Sequence, residues 1–302
     1  MKTRITLALA AVLLGIGAAG CSSSGGTTSP GPQPRPFGGV THYDEPQRLA
    51  LHNAEEGLIA GCMRGRGFDY RPQGLATGDH RADANPYGLL TVAQAANDGF
   101  GLISTALNMK HLDDPNQAQA ANEAWKAALL GTEAHRVTVD LPDGQQFFYN
   151  SDSCLSQAED SLYGPDYFRA FNTFQVLSSK VVTGVQADAR FAAAEKRWHD
   201  CMAAAGEPSD HLAGPIASID QRVRQDGSDP AKTHDLIGRE LSLAKTSARC
   251  QDQAGLAATV EQIQSDVEKT VIGTNQPLLD QLRILQQQAL ARASHPAPTG
   301  TP

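Results

Sequence analysis

The chain is 302 residues long, with 25 basic and 33 acidic side chains and five cysteines. Residues 1–20 contain Lys2 and Arg4 and no acid, so the remainder carries 23 basic against 33 acidic groups, a formal charge of about −10. That balance argues against a nucleic-acid partner and against electrostatic adhesion to anionic lipid, and no apolar run reaches the ~20 residues a bilayer core requires.

Lys2 and Arg4 precede the apolar run Ile5–Ile16, broken only by Thr6 and Gly15, and small residues then lead to Cys21. A positive start, a short apolar stretch and a small-residue exit mark residues 1–20 as an export signal peptide. Ala18-Ala19-Gly20-Cys21 resembles a bacterial lipobox, with Ala18 where leucine is usual. The resemblance implies a diacylated Cys21 as the mature N-terminus, anchored on the outer face of the cell membrane. Ordinary secretory cleavage nearby is the alternative. Residues 21–42 read as a flexible tether, because Ser22–Gly39 is almost wholly Ser, Gly, Thr and Pro with Arg35 its one charge. Eighteen such residues span on the order of 20–25 Å.

Helical periodicity begins at Asp44 and runs to Arg66, with Leu51, Ala54, Leu58 and Cys62 on one stripe and Ile59 and Met63 widening it. Asp114-Pro115 opens a second helical stretch over 116–130. The clearest β signal follows, a hairpin over about 137–149 turning at Pro142-Asp143-Gly144. Cys154–Tyr163 reads as a short helix stopped by Gly164-Pro165. Five aromatics lie between Tyr163 and Phe174; they predict a connecting helix packed in a core, with an aromatic groove for an apolar ligand as the sharper alternative. Further helices are expected over 187–205, 235–254, 256–272 and 278–293. The polar residues 294–302 read as a tail.

Cys62, Cys154, Cys201 and Cys250 fall into two echoing pairs. Cys62-Met63 and Cys201-Met202 each open a Cys-Met-x3-Gly string, and Cys154 and Cys250 each open Cys-x-x-Gln-Ala. In an exported chain four such cysteines predict disulfides. Three connectivities are open; the expected one, Cys62–Cys154 and Cys201–Cys250, joins one string of each kind within each half. A zinc site competes weakly, since no Cys-x-x-Cys pair exists and histidines do not flank the cysteines at ligand spacing. The expected fold is mainly α: two disulfide-braced helical units, 43–180 and 181–293, related by duplication, with the hairpin inserted in the first.

Cys62–Tyr70, Pro86-Tyr87-Gly88, Cys154 through Leu162-Tyr163-Gly164, and Trp198–Gly206 together resemble a family of lipoproteins and secreted proteins of GC-rich Gram-positive bacteria. The similarity covers most of 45–290, with Gly206-Glu207 replacing the first unit's Gly67-Phe68. It implies an extracytoplasmic helical protein with paired cysteines, and brings no activity, cofactor or catalytic residue.

Chemistry has few candidates. His199 lies two residues from Cys201, which on a helix points the two side chains apart. The carboxylate pairs Glu55-Glu56, Asp113-Asp114 and Glu159-Asp160 read as solvated faces. Asp79-His80, Asp83 and Asn85 form a polar loop that reads as a surface turn, with a metal site as the alternative. Neither a Gly-x-Ser-x-Gly elbow nor a His-Glu-x-x-His pair occurs. The expectation is therefore a lipid-anchored binding or scaffolding module of the envelope. Its partners are the membrane, through the lipid, and an envelope protein or small ligand, with no nucleic acid and no cofactor. A wall-polymer hydrolase or a disulfide-based sensor is the alternative.

Overall fold

The computed structural model of the chain describes residues 33–108, 112–226 and 230–294. The leader 1–20, Cys21 and the tail 295–302 lie outside them. The elements run α1 (Glu45–Gly65), α2 (Val92–Asp98), α3 (Leu102–Asn108), α4 (Glu123–Leu130), β1 (Arg136–Asp140), β2 (Gln146–Asn150), α5 (Cys154–Tyr163) and α6 (Tyr167–Gln186). They continue with α7 (Ala189–Ala204), α8 (Gly214–Asp226), α9 (Pro230–Ala254), α10 (Leu256–Val271) and α11 (Gln276–Ser294). The fold is mainly helical, and its two strands form one antiparallel hairpin.

Local chemistry starts and stops the two cysteine-bearing helices. Asp44 accepts the Gln47 amide at 2.8 Å while Gln47 Oε1 accepts the Asp44 amide at 3.1 Å, a reciprocal cap that starts α1. At the far ends Gly67 and Gly206 take left-handed φ values of 84° and 78°. There the Phe68 amide donates to the Met63 carbonyl at 3.0 Å and the Glu207 amide to the Met202 carbonyl at 2.9 Å. Only glycine enters that conformation without a Cβ penalty, so each Cys-Met-x3-Gly string is a helix stop. Met63 and Met202 are fully buried.

The division expected between residues 180 and 181 falls inside α6. That helix carries an unbroken stripe, with Tyr167, Ala170, Phe174, Val181 and Val185 buried, and it packs on α7, α10 and α11. One main core takes Leu51 from α1, Phe174 from α6, Trp198 from α7, Val260 from α10 and Leu282 from α11. α11 returns to pack on α1 and α5, so both expected units belong to a single compact body. A smaller core of Ile59, Met63, Tyr70, Trp125, Cys154 and Ala158 surrounds the first cystine. The likeness of the two halves is local: α2, α3, α4 and the hairpin separate α1 from α5, whereas α8 alone separates α7 from α9.

The described part of the tether expected over 21–42 is not free chain. From Gln33 onward the chain is a strap laid on the body. Phe37 and Val40 are buried, and the Phe37 ring meets Phe174 edge-on with centroids 5.1 Å apart. Body side chains satisfy the strap's backbone: Asn85 donates to the Pro34 carbonyl at 2.9 Å, Gln264 to that of Arg35 at 3.0 Å, and Gln286 to that of Val40 at 2.6 Å. Glu268 Oε1 accepts the Phe37 amide at 2.7 Å. Phe37 itself sits at φ 52°, a left-handed conformation costing roughly 1–2 kcal/mol; burial of its ring offsets that cost. A Gly- and Pro-rich stretch docks here because one aromatic and four polar partners hold it.

The inner face of α9 is not uniformly apolar. Leu236, Glu240, Leu243, Ala244, Ser247 and Ala248 are buried, whereas Ile237 and Leu241 are only half-buried. A buried glutamate on the inner face misleads any reading of apolar periodicity. Likewise Leu58 is exposed on α1 and Glu56 takes an inner position. No helix among the described residues is long and apolar enough to cross a membrane.

Phe37→Ala should cost about 3–5 kcal/mol in urea denaturation and bring the Phe37 amide to rapid hydrogen exchange. A loss under about 1 kcal/mol with protection retained would contradict the docked strap.

Candidate functional site

Sulfur bonds set the framework. Cys62 is joined to Cys154 and Cys201 to Cys250, each with Cα atoms 5.6 Å apart. Cys154 and Cys250 are fully buried. In each Cys-x-x-Gln-Ala string the glutamine lies over the bridging sulfur, Gln157 Oε1 3.6 Å from Cys62 Sγ and Gln253 Oε1 3.2 Å from Cys201 Sγ. The alanines, Ala158 and Ala254, are buried one turn after the cysteine, where a small side chain lets helices approach this closely. His199 lies beside Asp200 at 3.4 Å, and with Cys201 oxidised no thiolate faces it.

Glu55, Glu56 and Glu159 turn inward, whereas Asp160 stays exposed as expected. Glu56 is buried and accepts from the Tyr70 hydroxyl at 3.0 Å and the Gln73 amide at 2.7 Å. Glu55 accepts from the Tyr163 hydroxyl at 3.3 Å, and burial raises its pKa above the usual carboxylate range against the pull of that hydroxyl and of His52. Glu159 faces it from α5. Burial, with the negative charges of Glu55 and Asp160, pushes Glu159 up to about 8. The Asp113-Asp114 pair is exposed, as expected. Alongside, Tyr163 and Tyr167 stack at 4.4 Å and the Tyr167 and Tyr43 hydroxyls hydrogen-bond at 2.8 Å. The aromatic stretch thus divides: Tyr163, Tyr167 and Phe174 enter the core, while Phe168 stays at its edge.

A cavity of about 100 Å3 lies at that edge, under the hairpin. Strand alternation puts Val139, Phe147 and Tyr149 on one face of the ribbon, and all three line the cavity with Phe168, Ser156 and Glu159. Asp160, Asp166 and Arg169 complete its lining. Phe147 and Tyr149 lie near-parallel with centroids 6.2 Å apart. The hairpin is held at its tip by Lys180 on Asp143 at 2.6 Å and near its root by Asn150 on the Leu130 carbonyl at 2.8 Å. An isolated two-stranded ribbon would be marginal; pinned at both ends, it becomes a wall.

A second cleft, about 360 Å3, holds the expected polar loop. His80 Nδ1 meets Asp98 Oδ2 at 2.7 Å, leaving Nε2 as the available nitrogen. Glu240 shapes this cleft from beneath: its carboxylate accepts the amides of Phe100 at 3.0 Å, Leu102 at 2.9 Å and Ile103 at 3.1 Å. Gly99 must be glycine, since a Cβ there would stand 2.9 Å from Glu240 Cγ. Burial raises the Glu240 pKa and those three amides oppose the shift. An oriented imidazole suits a general base, yet no serine or cysteine lines this cleft. Asp79 accepts from Arg81 and Asn85 holds the strap. Among the described residues no group of three or more His, Cys, Asp or Glu is placed to hold a metal ion.

No family model, curated protein or solved structure matches the chain. The hairpin cavity was missed at the sequence level. Its one signal was the Phe147–Tyr149 alternation opposite the Tyr163–Phe174 aromatics, and nothing in the linear spacing ties either to Glu159.

Glu159 binds a proton more tightly folded than unfolded, where its pKa is near 4.3. The folded state therefore holds more protons between that value and about 8, and stability is lost as pH rises through the window. Glu55, Glu240 and Glu268, also raised by burial, act in the same direction. Scanning calorimetry should show Tm falling from about pH 5 to about pH 8.5, with a shallower fall in Glu159→Gln. A rising Tm, or an unchanged slope in the variant, would contradict this assignment.

Proposed function

We propose that the protein is an extracytoplasmic lipoprotein, anchored through acylated Cys21 on the outer face of the cell membrane, which serves as a binding or scaffolding module of the envelope. The observation that carries the reading is the pair of cystines bracing one helical body, since such bonds persist in oxidising compartments. The leader 1–20 and the lipobox-like Ala18–Cys21 supply the export route and the anchor. The docked strap begins at Gln33, so residues 22–32 alone lie between Cys21 and the body.

Binding is favoured over catalysis by what the clefts contain. The His80–Asp98 pair has an acceptor nitrogen but no nucleophile beside it, while the hairpin cavity combines aromatic rings with a carboxylate. The redox-sensor alternative is less favoured: in each bond one sulfur, that of Cys154 or Cys250, is fully buried, which leaves only the half-buried Cys62 or Cys201 open to thiol exchange.

Cys21→Ala should abolish fatty-acid labelling and move the protein from the membrane fraction to the medium or soluble fraction. Labelling and membrane fractionation that survive the change would refute the anchor.

A further inference from the structure

Among the acids lining the hairpin cavity, Glu159 is the half-buried one, Asp160 and Asp166 being exposed. Among the described residues no donor or cation is hydrogen-bonded or ion-paired with Glu159, and its charged neighbours Glu55 and Asp160 are both negative. Arg169, the one cation of the lining, lies against Asp166 at 3.4 Å. The apolar wall is made of the rings of Phe147, Tyr149 and Phe168 with Val139. Ring faces carry partial negative charge and attract cations. Aromatic wall and acidic floor therefore favour the same sign of guest.

We propose that this cavity binds the quaternary ammonium head of a small organic cation, the rings supplying cation–π attraction and Glu159 the countercharge. The proposal rests on reading the protein as a binding module and names the ligand class of that site. A cavity of about 100 Å3 suits one small alkylated head. A neutral apolar guest would leave the Glu159 carboxyl without a partner, which is costly. An anion would meet three carboxylates against one guanidinium. A bare metal ion would find carbon faces where it needs oxygen ligands.

Charge coupling gives the site a signature. Glu159, pushed up to about 8, is mostly protonated at neutral pH, and a cation beside it stabilises the carboxylate. Ligand uptake therefore releases a proton. The groups around it are Glu55 from α1, Asp160 and Tyr163 from α5, Tyr149 from the hairpin, and Asp166 and Arg169 at the head of α6. α4 and α11 also pack on α5, where Lys126 is paired with Glu123 and Arg292 donates to the Leu162 carbonyl.

The test is calorimetric titration of the full-length protein in non-ionic detergent with choline and with its neutral isostere 3,3-dimethyl-1-butanol. Choline should bind with a Kd of about 1 mM or tighter, and the isostere should not. At pH 7 the apparent enthalpy should differ between phosphate and Tris buffers, reporting the proton released. Glu159→Gln should weaken choline about tenfold or more and abolish the buffer dependence; Phe168→Leu should weaken it about threefold and keep that dependence. Circular dichroism checks that both variants fold. Equal binding of the isostere, unchanged affinity in Glu159→Gln, or no choline binding by wild type would overturn the proposal. The titration needs no membrane, so its failure removes the cation site alone, and failure of the Cys21 experiment removes the anchor alone.

Discussion

The Cys62–Cys154 bond sets the register on which the acid–aromatic face depends. It ties the C-terminal end of α1 to the first residue of α5, so the two helices run back along each other. Glu55 lies about 10 Å before the bond along α1, and Glu159 about 8 Å beyond it along α5, at 1.5 Å per residue. Two carboxylates thus meet where neither is fully solvated, an arrangement that repulsion alone would disperse. Closing loops of 92 and 49 residues contributes about 4–5 kcal/mol each as an upper figure from chain entropy, enough to outweigh one strained acid pair. The second bond joins α7 to α9, where Glu207 pairs with Arg239 at the position that a half-buried Phe68 takes after the first string.

The strings Cys62–Tyr70, Pro86–Gly88, Cys154–Gly164 and Trp198–Gly206 are mostly framework. Trp125 donates its ring N–H to the Asp69 carbonyl at 2.9 Å and stacks on Tyr70. Tyr87 donates to Gln264 Oε1 at 2.8 Å, and the Gly88 carbonyl accepts from Gln251 at 3.0 Å. Trp198 is fully buried. Such a set keeps one body in shape while saying little about its guest. Tyr163 is the exception, since it belongs both to that set and to the Glu55–Glu159 neighbourhood.

Most of the helical framework was legible, because capping residues, apolar stripes and glycine stops are local. Asp44, Gly67, Gly206 and Gly255 mark ends within a residue or two of those found. The expected 116–130 helix is in fact a short turn followed by α4, whose cap is Asn122. α2, α3 and α8 gave no clear signal: α2 and α3 are seven residues each, and α2 buries only Ala95. What stayed hidden is set by distant partners. The strap docks because Gln264, Glu268 and Gln286 reach it from more than two hundred residues away. The two-unit boundary dissolved because α6 is shared. Glu55 and Glu159 looked solvated because sequence cannot show which helix covers which face.

Cystine connectivity is the premise beneath the register, the cavity and the compartment alike. Non-reducing peptide mapping of the native protein, with thiol titration, reads it directly. The account predicts linked peptides containing Cys62 with Cys154 and Cys201 with Cys250, and no titratable thiol among these four. A bridge between the halves, or four free thiols, would contradict it.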